Sequence, residues 1–296
     1  MLALARYALK GPGSAFTAVA LLGILSLFVP LISLLSGALV GLIILTQGLV
    51  SGARVITLSI VLISAITWVM LHEPAFGITI GLMQWLPMVI LATVLRSTSS
   101  LSITMLVGMG IAGLIVLLQF ILWPNAEDAW YELIKEVLTQ AENSSYDFAL
   151  IEDSLQIILH WMSLALVSIM LSTFVSTLLL ARWWQAKLIG SDGYKKEFYT
   201  IQLGKIAALL SGLLLIAAML MKQDWLTALS LVALAMFLFQ GLAIVHVRAN
   251  RTKRPVLILV IFYVLMLIIP QVVLLAAIIG LIDNWLVFRR EPKTVS

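Results

Sequence analysis

The sequence predicts an all-α polytopic integral membrane protein: a helical bundle of about ten transmembrane helices, within a range of 7–10, with both termini cytoplasmic. Three observations carry this. Hydrophobic residues make up 62% of the 296 and charged residues 11%, at a mean hydropathy of +1.13. Soluble domains run at about 45–50% apolar and about 25% charged, so lipid is the solvent for most of the chain. Apolar runs recur at the length of about 20 residues that a spanning helix requires. Basic and acidic residues also separate between alternate connecting segments.

The first apolar run follows Arg6 and Lys10. It is too long for a signal-peptide h-region and lacks a small-x-small cleavage site, so it reads as an uncleaved first span. The predicted spans are then 15–33, 34–51, 55–71, 75–95, 101–123, 154–181, 205–221, 225–246, 255–270 and 271–288. Only Pro30 and Ser36-Gly37 interrupt 15–51, and only Pro270-Gln271 interrupts 255–288. A continuous helix over 255–288 would be about 51 Å long at about 1.5 Å per residue, too long for one crossing, which favours a hairpin.

With ten spans and a cytoplasmic N-terminus, every basic residue except Lys135 and Lys222 falls on the inner side. Glu73, Glu127, Asp128, Glu132, Glu136, Glu142, Asp147, Glu152, Asp153 and Asp224 fall outside. Positive charge retained inside is the usual determinant of orientation, and it favours an even number of spans. The whole chain, 1–296, reads as one transmembrane domain embedded in the bilayer.

Two segments lie outside that bilayer. Residues 124–153 form an external loop in which Ala126, Trp130, Leu133, Ile134, Val137 and Leu138 recur at helical spacing after an Asn125 cap. This predicts an amphipathic helix lying on the bilayer or over the bundle, either as a structural cap or as a lid over a substrate entrance. The Asn143-Ser144-Ser145 triplet carries no weight, since such triplets arise by chance. Residues 182–205 form a cytoplasmic basic-aromatic loop in which Trp183, Trp184, Tyr194, Phe198 and Tyr199 suit the headgroup layer. Its alternative use is as a docking surface for a cytoplasmic or membrane protein partner.

Within the spans, Gly37, Gly41, Gly48 and Gly52 share one face of the second, and Gly77 and Gly81 repeat the spacing in the fourth. Small residues let helices approach closely in lipid, so these are helix-packing positions. Polar side chains at depth must face an interior partner or a cavity. Gln84, Trp85, Gln119, His160 and Gln240 are the candidate lining of a cavity for a small-molecule ligand. Asp283 lies six residues before Arg289, about 9 Å along a helix and outside the i+3 or i+4 relation that brings side chains together. Its expected partner is another cytoplasmic helix end, His246, Arg248 or Arg182. Asp283, Asn284, His246, Arg248 and Arg289 are thus read as a polar clasp at the cytoplasmic end.

The chain has no cysteine and no HExxH, GxSxG or GxxxxGK[ST] signature, and no span holds two carboxylates. Neither an enzyme nor a cofactor is expected, His72, His160 and His246 lie too far apart in depth for a metal site, and no nucleic-acid partner is expected.

Three stretches, GYKKEFYTIQLGKIAA (193–208), LFQGLAIVH (238–246) and GLIDNWLVFRR (280–290), together resemble the YybS-like family of bacterial polytopic membrane proteins. The family's features fall here on Phe198, Gln240, Gly241, Leu242, Asp283 and Arg289. The resemblance implies a bacterial inner (cytoplasmic) membrane location. It also implies a distant similarity to the substrate-binding S-components of energy-coupling-factor transporters and to the rod-shape scaffold MreD; it carries no activity. Two functions follow as expectations. The first is small-molecule binding or transport; the alternative is a non-transporting scaffold or assembly factor for a cell-envelope complex.

Overall fold

A computed structural model of the chain describes residues 1–140, 149–286 and 288–289. The described residues form thirteen helices and no strand. In order these are α1 (Leu2–Ala8), α2 (Pro12–Ser26), α3 (Ile32–Gln47), α4 (Leu49–Leu71), α5 (Pro74–Thr98), α6 (Leu101–Leu122) and α7 (Ala126–Gln140). There follow α8 (Ala149–Ile189), α9 (Gly193–Tyr199), α10 (Lys205–Met221), α11 (Asp224–Asn250), α12 (Pro255–Ile268) and α13 (Pro270–Leu286). Proline opens α2, α5, α12 and α13, where its missing N–H costs nothing and its fixed φ suits the first turn.

Every predicted apolar segment contains a helix, in keeping with an all-α polytopic membrane protein, but the helices differ in length. Five helices are long and apolar enough to cross a membrane, namely α4, α5, α6, α8 and α11, or six if α12 and α13 count together. Of the others, α10 has the bounds of its predicted span, 205–221, while α2, α3, α12 and α13 are shortened by their sequence breaks. Pro270 cannot continue the ladder of α12, and α12 and α13 meet at an angle of 117°. With 15 and 16 residues, α2 and α3 are only about 22–24 Å long.

The second predicted span also ends sooner than expected. Gly48 closes α3 with a φ of +97°, a conformation that glycine adopts without strain. Gly37 and Gly41 therefore lie on α3, whereas Gly52 belongs to α4 and faces Ile44. A Cβ at Gly41 would stand 2.9 Å from Met88 and 3.0 Å from Ala181, and one at Gly77 2.7 Å from the Ser64 backbone. Those glycines, with Gly37 and Gly81, are packing positions; Gly48 is a helix stop.

The fold comprises two compact units interleaved along the chain: Met1–Gly108, Ser172–Leu203 and Ala243–Val256 in the first, Met109–Leu171, Gly204–Leu242 and Leu257–Ser296 in the second. In the first unit Trp85 is fully buried on α5 and donates from Nε1 to Ser36 Oγ at 3.1 Å. Ser36 in turn donates to the Val19 carbonyl at 3.1 Å. Gln84 bonds the Ser33 carbonyl and accepts from Ser26. These two residues, expected to line a cavity, cross-link α2, α3 and α5 instead. Arg96 Nη1 donates to the carbonyls of Ile44 and Leu45 at 2.8 and 3.0 Å, and Gln185 also bonds Leu45. Carbonyls in the last turn of α3 thereby meet a cation, as the helix dipole favours.

The 182–205 segment is not a loop at its start. Its first residues continue α8 to Ile189, and α9 follows the turn at Gly190. Trp184, placed by the sequence in the headgroup layer, is instead fully buried beside Leu178 and Ala181 on the inward stripe of α8. Arg182 grips Glu197 of α9 through two parallel hydrogen bonds, and Lys195 bonds Asn250.

Candidate functional site

Two polar constellations in the second unit invite a functional reading. The first joins α11 and α13. Gly241 and Gly280 let these helices approach until backbone meets backbone: a Cβ at Gly280 would overlap the Phe237 carbonyl and stand 2.7 Å from the Gly241 nitrogen. Beside this crossing Gln240, Asp283 and Asn284 are buried to 1% exposure or less. Gln240 Nε2 donates to Asp283 Oδ2 at 3.1 Å and Arg289 Nη2 donates to the same oxygen at 2.8 Å. Asp283 Oδ1 accepts the Phe288 N–H at 2.9 Å. Asn284 Oδ1 accepts the Gly204 N–H at 2.9 Å, which fastens the start of α10.

This overturns the expected pairing. Arg289 does hold Asp283, because α13 ends at Leu286 and the chain turns at Phe288–Arg289, bringing the guanidinium back. His246 and Arg248 belong to the first unit, where Phe198 packs edge-on against His246 at 5.2 Å. Gln240, expected in a cavity wall, is the amide partner of Asp283. Each oxygen of the Asp283 carboxylate is thus engaged by described residues, and the group is 1% exposed, as a structural charge requires.

The second constellation is open. Glu127, Asp128, Tyr131 and Glu132 of α7 face Gln156, Ile157, Leu159, His160 and Trp161 of α8 across a cleft of about 760 Å³. The sequence favours this helix locally: Glu127 and Asp128 stand in its first turn, where the helix dipole stabilises negative charge. His160 Nδ1 lies 2.7 Å from Glu127 Oε2, and its Nε2 lies 3.6 Å from Asp224 Oδ1 at the start of α11. Tyr131 donates its hydroxyl to Glu152 at 2.5 Å. That hydrogen bond, with burial and the negative charges of Glu152 and Glu132, pushes the Tyr131 phenol above its ordinary ionisation range.

Asp128 and Glu132 accept no hydrogen bond from any described residue and point their charge into a cleft that also presents two aromatic rings. The helix dipole accounts for Glu127 and Asp128, but not for Glu132 in the second turn. Among the described residues no group of three or more potential ligands could hold a metal ion. What the cleft offers is carboxylate charge, a histidine that can donate or accept, and the rings of Tyr131 and Trp161. The Tyr131 ring already carries a cation, the Lys135 ammonium 5.8 Å from its centroid, and shows the kind of contact an organic cation makes with an aromatic face.

Of the five residues expected to line one cavity, His160 alone is in this cleft. Gln84 and Trp85 lie in the first unit; Gln119 and Gln240 lie in the second, Gln119 half-buried near the end of α6. Sequence reasoning missed Glu127, Tyr131, Glu132 and Glu152 as site residues, because the facing pair His160–Glu127 is 33 residues apart. It also missed Gly241 and Gly280 as packing positions, although both sit in the stretches quoted above for their resemblance.

Residues 141–148, with the Asn143-Ser144-Ser145 triplet, and 290–296 fall outside the described residues. No curated protein and no solved structure matches the chain. A family model described as a predicted membrane protein, DUF2232, matches residues 17–284. Together with the five or six apolar helices of spanning character, that match settles the class: the chain is a multi-pass membrane protein and belongs to the DUF2232 family.

Proposed function

We propose that this is a small-molecule binding membrane protein, of the transporter-component kind, whose cleft between α7 and α8 takes an organic cation. One observation carries the reading: Asp128 and Glu132 line a cleft of about 760 Å³, hydrogen-bonded to no described donor, with the Trp161 ring on its other wall. That volume lies within the roughly 300–1,000 Å³ of small-molecule sites. The distribution of basic residues supports a non-cytoplasmic position for the cleft. The resemblance of 193–208, 238–246 and 280–290 to the YybS-like family carries no activity, but it accords with a place in the bacterial inner membrane.

Thermal unfolding of the full chain in detergent tests this, with a panel of organic ammonium and guanidinium compounds set against matched carboxylates. A cation at about 100 times its Kd stabilises a folded protein by about 2.7 kcal/mol. That stabilisation should appear with cations and vanish in Glu132→Gln and Asp128→Asn. Stabilisation by anions alone, or by nothing in the panel, would sink the reading.

A scaffold role for the cytoplasmic surface has one observation in its favour. The bidentate Arg182–Glu197 pair and the Lys195–Asn250 bond hold α9 rigidly, with Lys195 and Lys196 exposed. Crosslinking in intact cells should then recover a defined partner through 182–205; recovery of this chain alone would dismiss it.

A further inference from the structure

We infer that α7 is seated in the lipid–water interface and that the cleft opens sideways to the bilayer, so that it takes an amphiphile, a cationic head on an apolar chain, from the membrane. The ligand half of this rests on the cation-binding reading above; the seating of α7 stands on its own.

A helix advances about 100° per residue. Along AEDAWYELIKEVLTQ this places Trp130, Leu133 and Val137 on one side and Asp128 and Lys135 on the other. In a soluble protein such a stripe would turn to a core. Here the reverse holds. Glu127 and Tyr131 tie α7 to α8 through His160 and Glu152, while Trp130 is 38% exposed, Leu133 55% and Val137 62%. An amphipathic helix with few apolar residues outside one stripe is the type that lies in an interface without crossing it.

Its neighbours identify lipid as what covers the stripe. α6 leads into α7 through Trp123, Pro124 and Asn125 alone, and Leu118, Ile121, Leu122 and Trp123 are exposed apolar residues at that end of a spanning helix. Trp123 and Trp130 are the residue type that collects at membrane interfaces. On the opposite wall of the cleft Ile157 and Trp161 line the space and are themselves 61% and 56% exposed. The cleft therefore has an acidic wall on α7, and on α8 a wall whose apolar residues, Ile157 and Trp161 beside Gln156 and His160, continue into the exposed surface of that helix. A head with positive charge suits the first, and an alkyl chain suits the second.

The chain contains no cysteine, so single spin labels can be placed cleanly. Leu133→Cys, Val137→Cys and Lys135→Cys are labelled in the full chain and reconstituted in phosphatidylcholine–phosphatidylglycerol vesicles. Accessibility to oxygen, which concentrates in lipid, is compared with accessibility to a water-soluble nickel chelate. The labels at 133 and 137 should favour oxygen several-fold and that at 135 the chelate. Equal or water-favouring values at 133 and 137 overturn the seating. So does dipolar broadening between copies, which would put a second copy of the chain on the stripe.

The ligand half is read by thermal stabilisation of the reconstituted protein with decyltrimethylammonium and ethyltrimethylammonium, both below micelle-forming concentration. Half-saturation by the decyl compound at least tenfold lower, abolished in Glu132→Gln, supports loading from the bilayer. Equal half-saturation by the two keeps the cation reading and overturns the sideways opening. Stabilisation by neither overturns the cation reading and the amphiphile with it.

Discussion

Asp283 and Glu132 are carboxylates of the same unit placed in opposite circumstances. Asp283, 1% exposed, receives a guanidinium, a side-chain amide and a backbone N–H. Glu132 receives no hydrogen bond from a described residue and stands exposed at a cleft. A buried charge is tolerated only when its lone pairs are filled, and filling them leaves nothing for a ligand. An exposed carboxylate is free of that demand, and its binding capacity remains available. The carboxylate set within an apolar helix is thus the structural one, and the residue on a solvated helix face is the candidate for binding.

The sharpest way to break this comparison is to remove the buried charge. Asp283→Ala leaves Arg289 and Gln240 facing an empty acceptor position, and breaking a buried pair in this way costs about 3–5 kcal/mol. Asp283→Asn keeps one acceptor for the Phe288 N–H or for Arg289 and should cost distinctly less. Thermal unfolding in detergent and folded yield rank the two variants. If both match the parent protein, the cluster contributes nothing to stability and its structural assignment falls. Glu132→Gln, by contrast, should leave unfolding unchanged without ligand.

Next in size is the helix crossing that carries the cluster. Gly280→Ala drives a methyl group into the Phe237 carbonyl, and backbone cannot rotate away as a side chain can. Overpacking costs about 1–3 kcal/mol, and occasionally more. Gly110→Ala in α6 is the matching control, since a Cβ there meets nothing within 4 Å. Replacing a helical glycine in open space should stabilise by roughly 0.5–1 kcal/mol. Opposite signs for the two substitutions in the same unfolding assay are the expected result. Equal effects would mean that the close approach of α11 and α13 is not what Gly280 provides.

The same contrast explains what could be read from the sequence. Helices were legible because lipid demands long apolar runs, and α7 because its stripe has a period of 3.6. Breaks at Pro270 and Gly48 were visible as residue types, yet whether a break makes a hairpin, a bend or a stop depends on packing. Arg96, 51–52 residues along the chain from the Leu45 and Ile44 carbonyls it binds, settles the stop at Gly48. The Asp283–Arg289 bond was hidden for another reason. Treating residues 283–289 as one continuous helix separates the two groups, and only the turn after Leu286 returns the arginine. The cleft was illegible as a site because its two walls are separate segments, although each wall on its own was an evident helix.

The smallest effect concerns the latch between those walls. The Tyr131 hydroxyl donates to Glu152, and the phenol is held protonated above its ordinary value of 10.0. A group whose folded value is raised contributes its stabilisation fully below the unfolded value and loses it as pH rises through the folded one. The Tyr131–Glu152 bond is accordingly intact at neutral pH and is lost as pH rises past the raised value of the phenol. Difference absorbance near 295 nm between the parent protein and Tyr131→Phe should show this tyrosine ionising later than a free phenol. Glu152→Gln removes the accepting charge and should bring the transition back toward the ordinary value. A transition that does not move in Glu152→Gln would detach Tyr131 from α8. The hold on α7 would then rest on the His160–Glu127 contact, and with it the shape of the cleft that distinguishes Glu132 from Asp283.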